Sequence, residues 1–182
     1  MVLAVTAGRW IYRRLVAGDI VLDLSIGRTI RPLGPIDVRI EAPRDLVFEV
    51  IASPYLGTPP PSVAEKIRVL ERSEQMVLAA HRTPVRPGLE AVTVETVRFE
   101  RPATIHFRLV RGPVPHVTER FELTEDASGT LFHYEGELGA DLWALGRWWG
   151  DLVARRWDDA VRRSVEEIAR IAETRAARRR TG

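Results

Sequence analysis

The sequence predicts an α+β domain: a seven-stranded antiparallel sheet closed by one long C-terminal helix, with two short helices after the first strand. Three observations predict it. From about Ala140 to Arg178, apolar residues recur in steps of three and four (Leu142, Leu145, Trp149, Val153, Trp157, Val161, Val165, Ile168, then Ile171 or Ala172), which is one side of an α-helix. The opposite side is charged, from Arg147 and Asp151 to Glu167 and Arg170, and no proline interrupts the run. Before this helix, six stretches alternate with period two and are joined by short turns, the pattern of an antiparallel meander. A helix this long needs a surface for its apolar stripe, and the sheet is the surface on offer.

The elements follow in order. Residues 1–35 form an N-terminal extension. Trp10, Ile11, Leu15 and Val16, interleaved with Arg9, Arg13 and Arg14, predict a short amphipathic helix ending near Gly18, and Ile20, Leu22, Leu24 and Ile26 alternate as an edge strand. Ile36, Val38 and Ile40 open the main domain as its first strand. Ala42-Pro43 ends that strand, and residues 44–53 give a helix with Leu46, Val47, Val50 and Ile51 on one face. A stiff loop through Pro54, Gly57 and Pro59–Pro61 leads to a short helical turn around Ser62–Glu65. Strands follow at 67–73, 76–83, 91–100, 103–111, 116–125 and 130–138, separated by turn signals such as Arg101-Pro102 and Asp126–Gly129. The main domain is set at 36–178, with a basic tail at 179–182.

Composition narrows the function. With 182 residues, 45% hydrophobic and 29% charged, the chain suits one domain with a substantial core. All but one of the 27 basic residues are arginine, Lys66 being the exception, so the pI near 9.5 overstates a net charge of only +2. Such a weak field argues against nucleic acid as a partner. Cysteine is absent, which removes disulfides, thiolate nucleophiles and Cys-based metal sites. The four histidines lie on different strands without metal-ligand spacing, and neither a metal nor a cofactor is expected. No apolar run reaches transmembrane length, and the arginines follow rather than precede the apolar start, the wrong order for a secretory signal. The expectation is a cytoplasmic protein.

Three stretches carry a resemblance: Ile36–Ser53 (IDVRIEAPRDLVFEVIAS), Val97–Leu109 (VRFERPATIHFRL) and Val117–Leu138 (VTERFELTEDASGTLFHYEGEL) ahead of the long helix. Together with the element order they resemble the START-like, or SRPBCC, superfamily with its helix-grip fold, which includes polyketide cyclase/dehydrase-like proteins and lipid-transfer domains. The resemblance spans residues 36 to about 175. It implies a cavity between the concave sheet face and the C-terminal helix that holds a small apolar or amphipathic molecule. The family shares no catalytic motif, so no catalytic residue is carried over.

Strand phase selects the residues facing such a cavity, taking the more apolar phase as inward. Ile105, Phe107 and Leu109, then Val117, Glu119, Phe121 and Leu123, then Phe132, Tyr134, Gly136 and Leu138 point in; His106, Arg108, Arg120, Glu122, His133 and Glu135 point out, where charge pairing accounts for them. Glu119 stands out because an unpaired carboxylate in an apolar phase is costly. It meets either an arginine or a ligand. Strand 91–100 changes phase between Val94 and Val97, so a bulge near Glu95-Thr96 is expected to swing Arg98 or Glu95 inward. Tyr134 needs a partner for its hydroxyl. His81 lies in a strand of ambiguous phase, either as a core histidine or as an acid–base group. Trp149, beside Gly146 and Gly150, is either core packing or a cavity wall.

The predicted ligand-binding set is therefore Glu119, Tyr134, Phe107, Phe121, Trp149, Arg98 and His81. Two functions use it: carriage of a small hydrophobic molecule, or a polyketide cyclase/aromatase-like reaction in which one or two polar groups move protons. Carriage is the first reading, because the inward phase offers few titratable pairs. A third reading has residues 1–18 touching a membrane or a partner.

Overall fold

The alternating stretches from Ile67 onward become six strands joined by tight hairpins, and the first strand returns to pair with the last. The computed structural model describes residues 2–57 and 65–181. Its elements are α1 (Val2–Val16), β1 (Thr29–Ile40), α2 (Arg44–Leu56), β2 (Ile67–Arg72), β3 (Met76–Arg86), β4 (Leu89–Glu100), β5 (Thr104–Arg111), β6 (His116–Asp126), β7 (Gly129–Ala140) and α3 (Trp143–Thr181). The strands form one antiparallel sheet in the order β1-β7-β6-β5-β4-β3-β2. This is the helix-grip α+β arrangement, with α3 lying across β1, β7 and α2 on the concave side. The core gathers there: Ile40, Val97, Ile105 and Phe132 are fully enclosed beneath Val47 and Phe48 of α2 and Val165 and Ala172 of α3.

Several boundaries move. β1 begins at Thr29 rather than Ile36, with a register shift between Leu33 and Ile36 that lets it run the length of β7. Helix α2 continues through Pro54 to Leu56, since proline at the eleventh of 13 positions removes little from a helix anchored by the buried Leu46–Ala52 face. The short helix at Ser62–Glu65 falls almost wholly outside the described residues. Helix α3 runs to Thr181, so Arg179 and Arg180 of the basic tail lie in its last turn.

The predicted edge strand at Ile20–Ile26 does not form. The segment is an extended strap, and its backbone is held by the end of β7 instead of by a sheet edge. Asp141, whose carboxylate is almost fully enclosed, accepts hydrogen bonds from Leu24 N (2.7 Å), Ser25 N (2.8 Å) and Arg28 Nε (2.7 Å). The Arg28 guanidinium and these two amides hold Asp141 below the usual carboxylate range, outweighing its burial. Leu142 N and Trp143 N complete the latch by donating to Ile26 O and Gly27 O. The alternating Leu22, Leu24 and Ile26 are left half exposed, so their period-two pattern reflects no sheet.

The two helical glycines of α3 have different reasons. A Cβ at Gly146 would stand 1.9 Å from the Asp141 carbonyl oxygen, because the chain turns sharply at Leu142 and Trp143 (φ 78° and 47°) as the helix starts. A Cβ at Gly150 would stand 3.3 Å from Ala140 Cβ, a tight approach that a shift of a few tenths of an ångström relieves, and 3.5 Å from Leu138 Cδ2, an ordinary contact. Helix propensity favours alanine over glycine by about 1 kcal/mol at either site. Equilibrium unfolding in urea should therefore show Gly150→Ala neutral or stabilising, whereas Gly146→Ala should lose about 1–3 kcal/mol to the backbone clash.

Candidate functional site

The concave face is apolar at its β7 side and titratable at its β3–β4 side. On β3 the inward phase is Val77, Ala79 and His81, leaving Met76 outside. On β4 it runs unbroken through Thr93, Glu95, Val97 and Phe99. The bulge lies across the hairpin, on β5: Val94 pairs with Arg111 and Glu95 with Leu109, leaving Val110 as the extra residue. Glu95 faces inward without any distortion of its own strand. Arg98 faces outward, where it pairs with Glu100 on the solvated surface and does not reach Glu119.

His81, opposite Thr93 in the β3–β4 ladder, joins two groups. Its Nε2 is 3.0 Å from the Tyr55 hydroxyl of α2. Its Nδ1 is 3.2 Å from Glu95 Oε2, an ion-pair contact whose angle falls short of a hydrogen bond. Burial alone would lower the histidine, but the Glu95 carboxylate outweighs it and raises the imidazole above its usual range. Burial likewise opposes charge on Glu95, and the imidazolium, with the Thr93 hydroxyl, overcomes it and holds Glu95 low. The contact favours the imidazolium–carboxylate form of the pair. Both ring nitrogens are then donors, so Tyr55 accepts from Nε2–H and keeps its own O–H to give. Burial, reinforced by Glu95 and Glu119, keeps that phenol neutral.

Glu119 sits two strands away on β6. The absent side chain of Gly136 makes room for it: a Cβ there would come within 3.3 Å of Glu119 Cγ. From α3, Trp157 Nε1 donates to Glu119 Oε1 at 2.8 Å. The buried Tyr134 hydroxyl lies beside the same carboxyl without a well-directed hydrogen bond among the described residues. Burial, and then the negative charge of Glu95, push Glu119 up to about 8, against the opposing pull of Trp157, Tyr134 and His81. Two buried carboxyl groups thus divide their roles by environment: Glu95 is ionised and Glu119 is a neutral acid.

Aromatic rings floor this array. Tyr55 packs on Phe107 (6.2 Å between centroids), Phe107 on Phe121 (4.8 Å) and Phe121 on Tyr134 (5.6 Å). Thr93, Glu95, Phe107, Leu109, Glu119 and Phe121 each retain 6–8% exposure, whereas Val97, Ile105 and Phe132 on the same face retain none. The packing is therefore least complete around the titratable groups.

Of the seven predicted residues, the structure gathers Glu119, Tyr134, Phe107, Phe121 and His81 on this face. Arg98 is outside it. Trp149 is also elsewhere: its Nε1 donates to Pro113 O at 2.8 Å and its ring meets Tyr12 of α1. There it lines a separate apolar hollow of about 120 Å³ together with Leu15, Leu22, Leu145 and Trp148. Trp157, two turns further along the same stripe, is the indole that meets Glu119. Sequence reasoning missed Trp157 and Tyr55 as site residues. The signal for Trp157 was its place on the apolar stripe. Tyr55 gave none, because it follows Pro54 and reads as loop.

A profile of the family described as polyketide cyclase/dehydrase and lipid transport matches residues 36–173, so the chain belongs to that family. No curated protein matches the chain. Among solved structures, it is similar to the ZhuI aromatase/cyclase from Streptomyces sp. R1128 (17% identity, 81% of this chain and 96% of that one, TM-score 0.61). It is also similar to the di-domain ARO/CYC BexL from the BE-7585A biosynthetic pathway (18%, 82% of this chain, 50% of that one, 0.59). A START superfamily protein from Mycobacterium smegmatis gives 14% identity, 81% and 99% coverage and a TM-score of 0.50. At these identities what is shared is the fold.

The neutral Glu119 has a consequence for stability. Its pKa in the folded state lies above the ordinary 4.5, so the unfolded chain releases this proton first as pH rises. Its contribution to stability should fall from pH 4.5 to about 8 and be level beyond, a loss on the order of a few kcal/mol. Urea unfolding of wild type and Glu119→Gln across this window should show the wild type losing stability relative to the variant as pH rises.

Proposed function

We propose that this member of the polyketide cyclase/dehydrase and lipid transport family binds a small, mostly apolar carbonyl compound between the sheet and α3 and moves protons on it. One observation carries the reading: two buried carboxyl groups, Glu119 and Glu95, share an apolar, aromatic-floored interior with His81, which pairs with only one of them. Carriage alone needs an apolar space and an anchoring group or two. It gives no reason to bury a second carboxyl beside an ionised one, at a cost in stability. Sequence phase had favoured carriage for want of titratable pairs, and Glu95 with His81 supplies one.

The chemistry follows from which groups hold protons. A ligand carbonyl oxygen placed between the Glu119 carboxyl and the Tyr55 hydroxyl would accept from both, in a medium of low dielectric where such donors are strong. That polarisation acidifies the carbon next to the carbonyl. Glu95, kept ionised by His81, is the acceptor for the released proton, and His81 holds Tyr55 in place. Enolisation of this kind is the opening step of an intramolecular condensation, which agrees with the aromatase/cyclase descriptions of two structural neighbours. The aromatic floor of Phe107 and Phe121 fits a flat or polyunsaturated ligand.

The test separates carriage from catalysis. Purified protein should show added mass in native mass spectrometry with α-tetralone, a flat bicyclic ketone. In deuterated buffer it should also speed exchange of the proton next to the carbonyl. Glu119→Gln should keep the mass addition and lose roughly 100-fold or more of the exchange rate. Bound ketone with no exchange above buffer would reduce the function to carriage.

A further inference from the structure

One end of the molecule exposes large apolar side chains that no element covers among the described residues. Leu22 of the strap and Leu145 and Trp148 of α3 are 42%, 61% and 62% exposed, and they form the lips of the 120 Å³ hollow whose inner wall is Trp149. Ile11, one helical turn before Leu15 of the same hollow, is half exposed as well. These four belong to three separate segments, the strap and α3 joined by the Asp141 latch and α1 seated through Tyr12 on Trp149, so the patch is a product of the fold.

Its charge indicates the partner. Helix α1 carries Arg9, Arg13 and Arg14 on its described residues and no acidic residue along its length, and Arg147 lies exposed between Leu145 and Trp148 on α3. Arg14–Asp19 (2.9 Å) and Arg28–Asp23 (2.6 Å) cancel as ion pairs, which leaves Arg9, Arg13 and Arg147 as the excess positive charge of this face. A second copy of this chain packed symmetrically on the patch would bring arginines against arginines. An anionic surface would meet them with opposite charge. Tryptophan and leucine beside arginine, on a face rather than through a spanning helix, suit the boundary of a lipid layer. Among the described residues no helix is long and apolar enough to cross a membrane.

The hollow also adjoins the interior. Pro113 lines it, and the neighbouring Gly112 packs on the concave face, where a Cβ would lie 3.0 Å from Leu109 and 3.2 Å from Thr93. We propose that the face formed by α1, the strap and the first turns of α3 docks on an anionic lipid bilayer, with the hollow as the entry for an apolar ligand. Docking stands on the surface alone; the entry role rests on the interior ligand site proposed above.

Co-sedimentation tests it with vesicles of phosphatidylcholine alone or mixed equally with phosphatidylglycerol. Wild type should pellet with the mixed vesicles, more weakly as salt rises, and little with phosphatidylcholine. Leu145→Ser combined with Trp148→Ser removes two exposed side chains, so the fold should persist while partitioning falls roughly tenfold or more. Glu119→Gln should bind vesicles like wild type, which separates this result from the fate of the interior site. The proposal is overturned if wild type stays in solution with both vesicles, or if the double variant partitions equally. It is also overturned if wild type forms, without binding vesicles, a dimer that the double variant does not.

Discussion

Glu95 and Glu119 stand on the same concave sheet face, inside a space floored by phenylalanines and roofed by two helices. Burial and the charge of Glu95 together oppose ionisation of Glu119 at neutral pH. The fold resolves the conflict with parts from six elements: His81 of β3 ionises Glu95 of β4, while Trp157 of α3 and Tyr134 of β7 attend a protonated Glu119 on β6, and Tyr55 of α2 caps the histidine. Each helix therefore has a polar task beyond packing. The sheet supplies the acids and, through His81, ionises Glu95, while the helices that cover the face supply the burial that raises Glu119.

This constraint also explains how the covering elements are held. A helix of 39 residues touching the sheet along one stripe can slide, and a shift of one turn would take Trp157 away from Glu119. Its start is fixed by the clash-limited turn at Gly146 and by the Asp141 latch to the strap. Both lie at the end where the hollow opens. The same few contacts thus fix the register of α3 over the interior and assemble the apolar rim outside it.

Much of this was legible in the sequence, and the reason is periodicity. Strand phase placed Glu119, Phe107, Phe121 and Tyr134 inward because β5, β6 and β7 alternate cleanly, and it marked Glu119 as an acid out of place. It left His81 undecided, since Met76, Leu78 and Ala80 are as apolar as the true inward set. It assigned the β4 anomaly to a bulge in that strand when the extra residue is Val110 in the next. Most of all, phase says which face a residue takes and not what lies opposite. Trp149 and Trp157 share one stripe, and only the tertiary position of α3 decides which indole meets Glu119. The strap misled for a similar reason: Leu22, Leu24 and Ile26 alternate as a strand would, yet Asp141, more than a hundred residues away, holds the backbone that a neighbouring strand would otherwise have paired.

The protonation of Glu119 at neutral pH is the claim on which the interior depends, and it is open to direct observation. Carbon-13 NMR of glutamate side-chain carboxyl groups, assigned by comparison with Glu119→Gln, gives its titration in the intact protein. The account predicts a midpoint near 8, moving higher still in Trp157→Phe as the indole donor is lost. A midpoint in the ordinary carboxylate range, near 4.5, would show two charged carboxylates coexisting in the grip and would contradict the account.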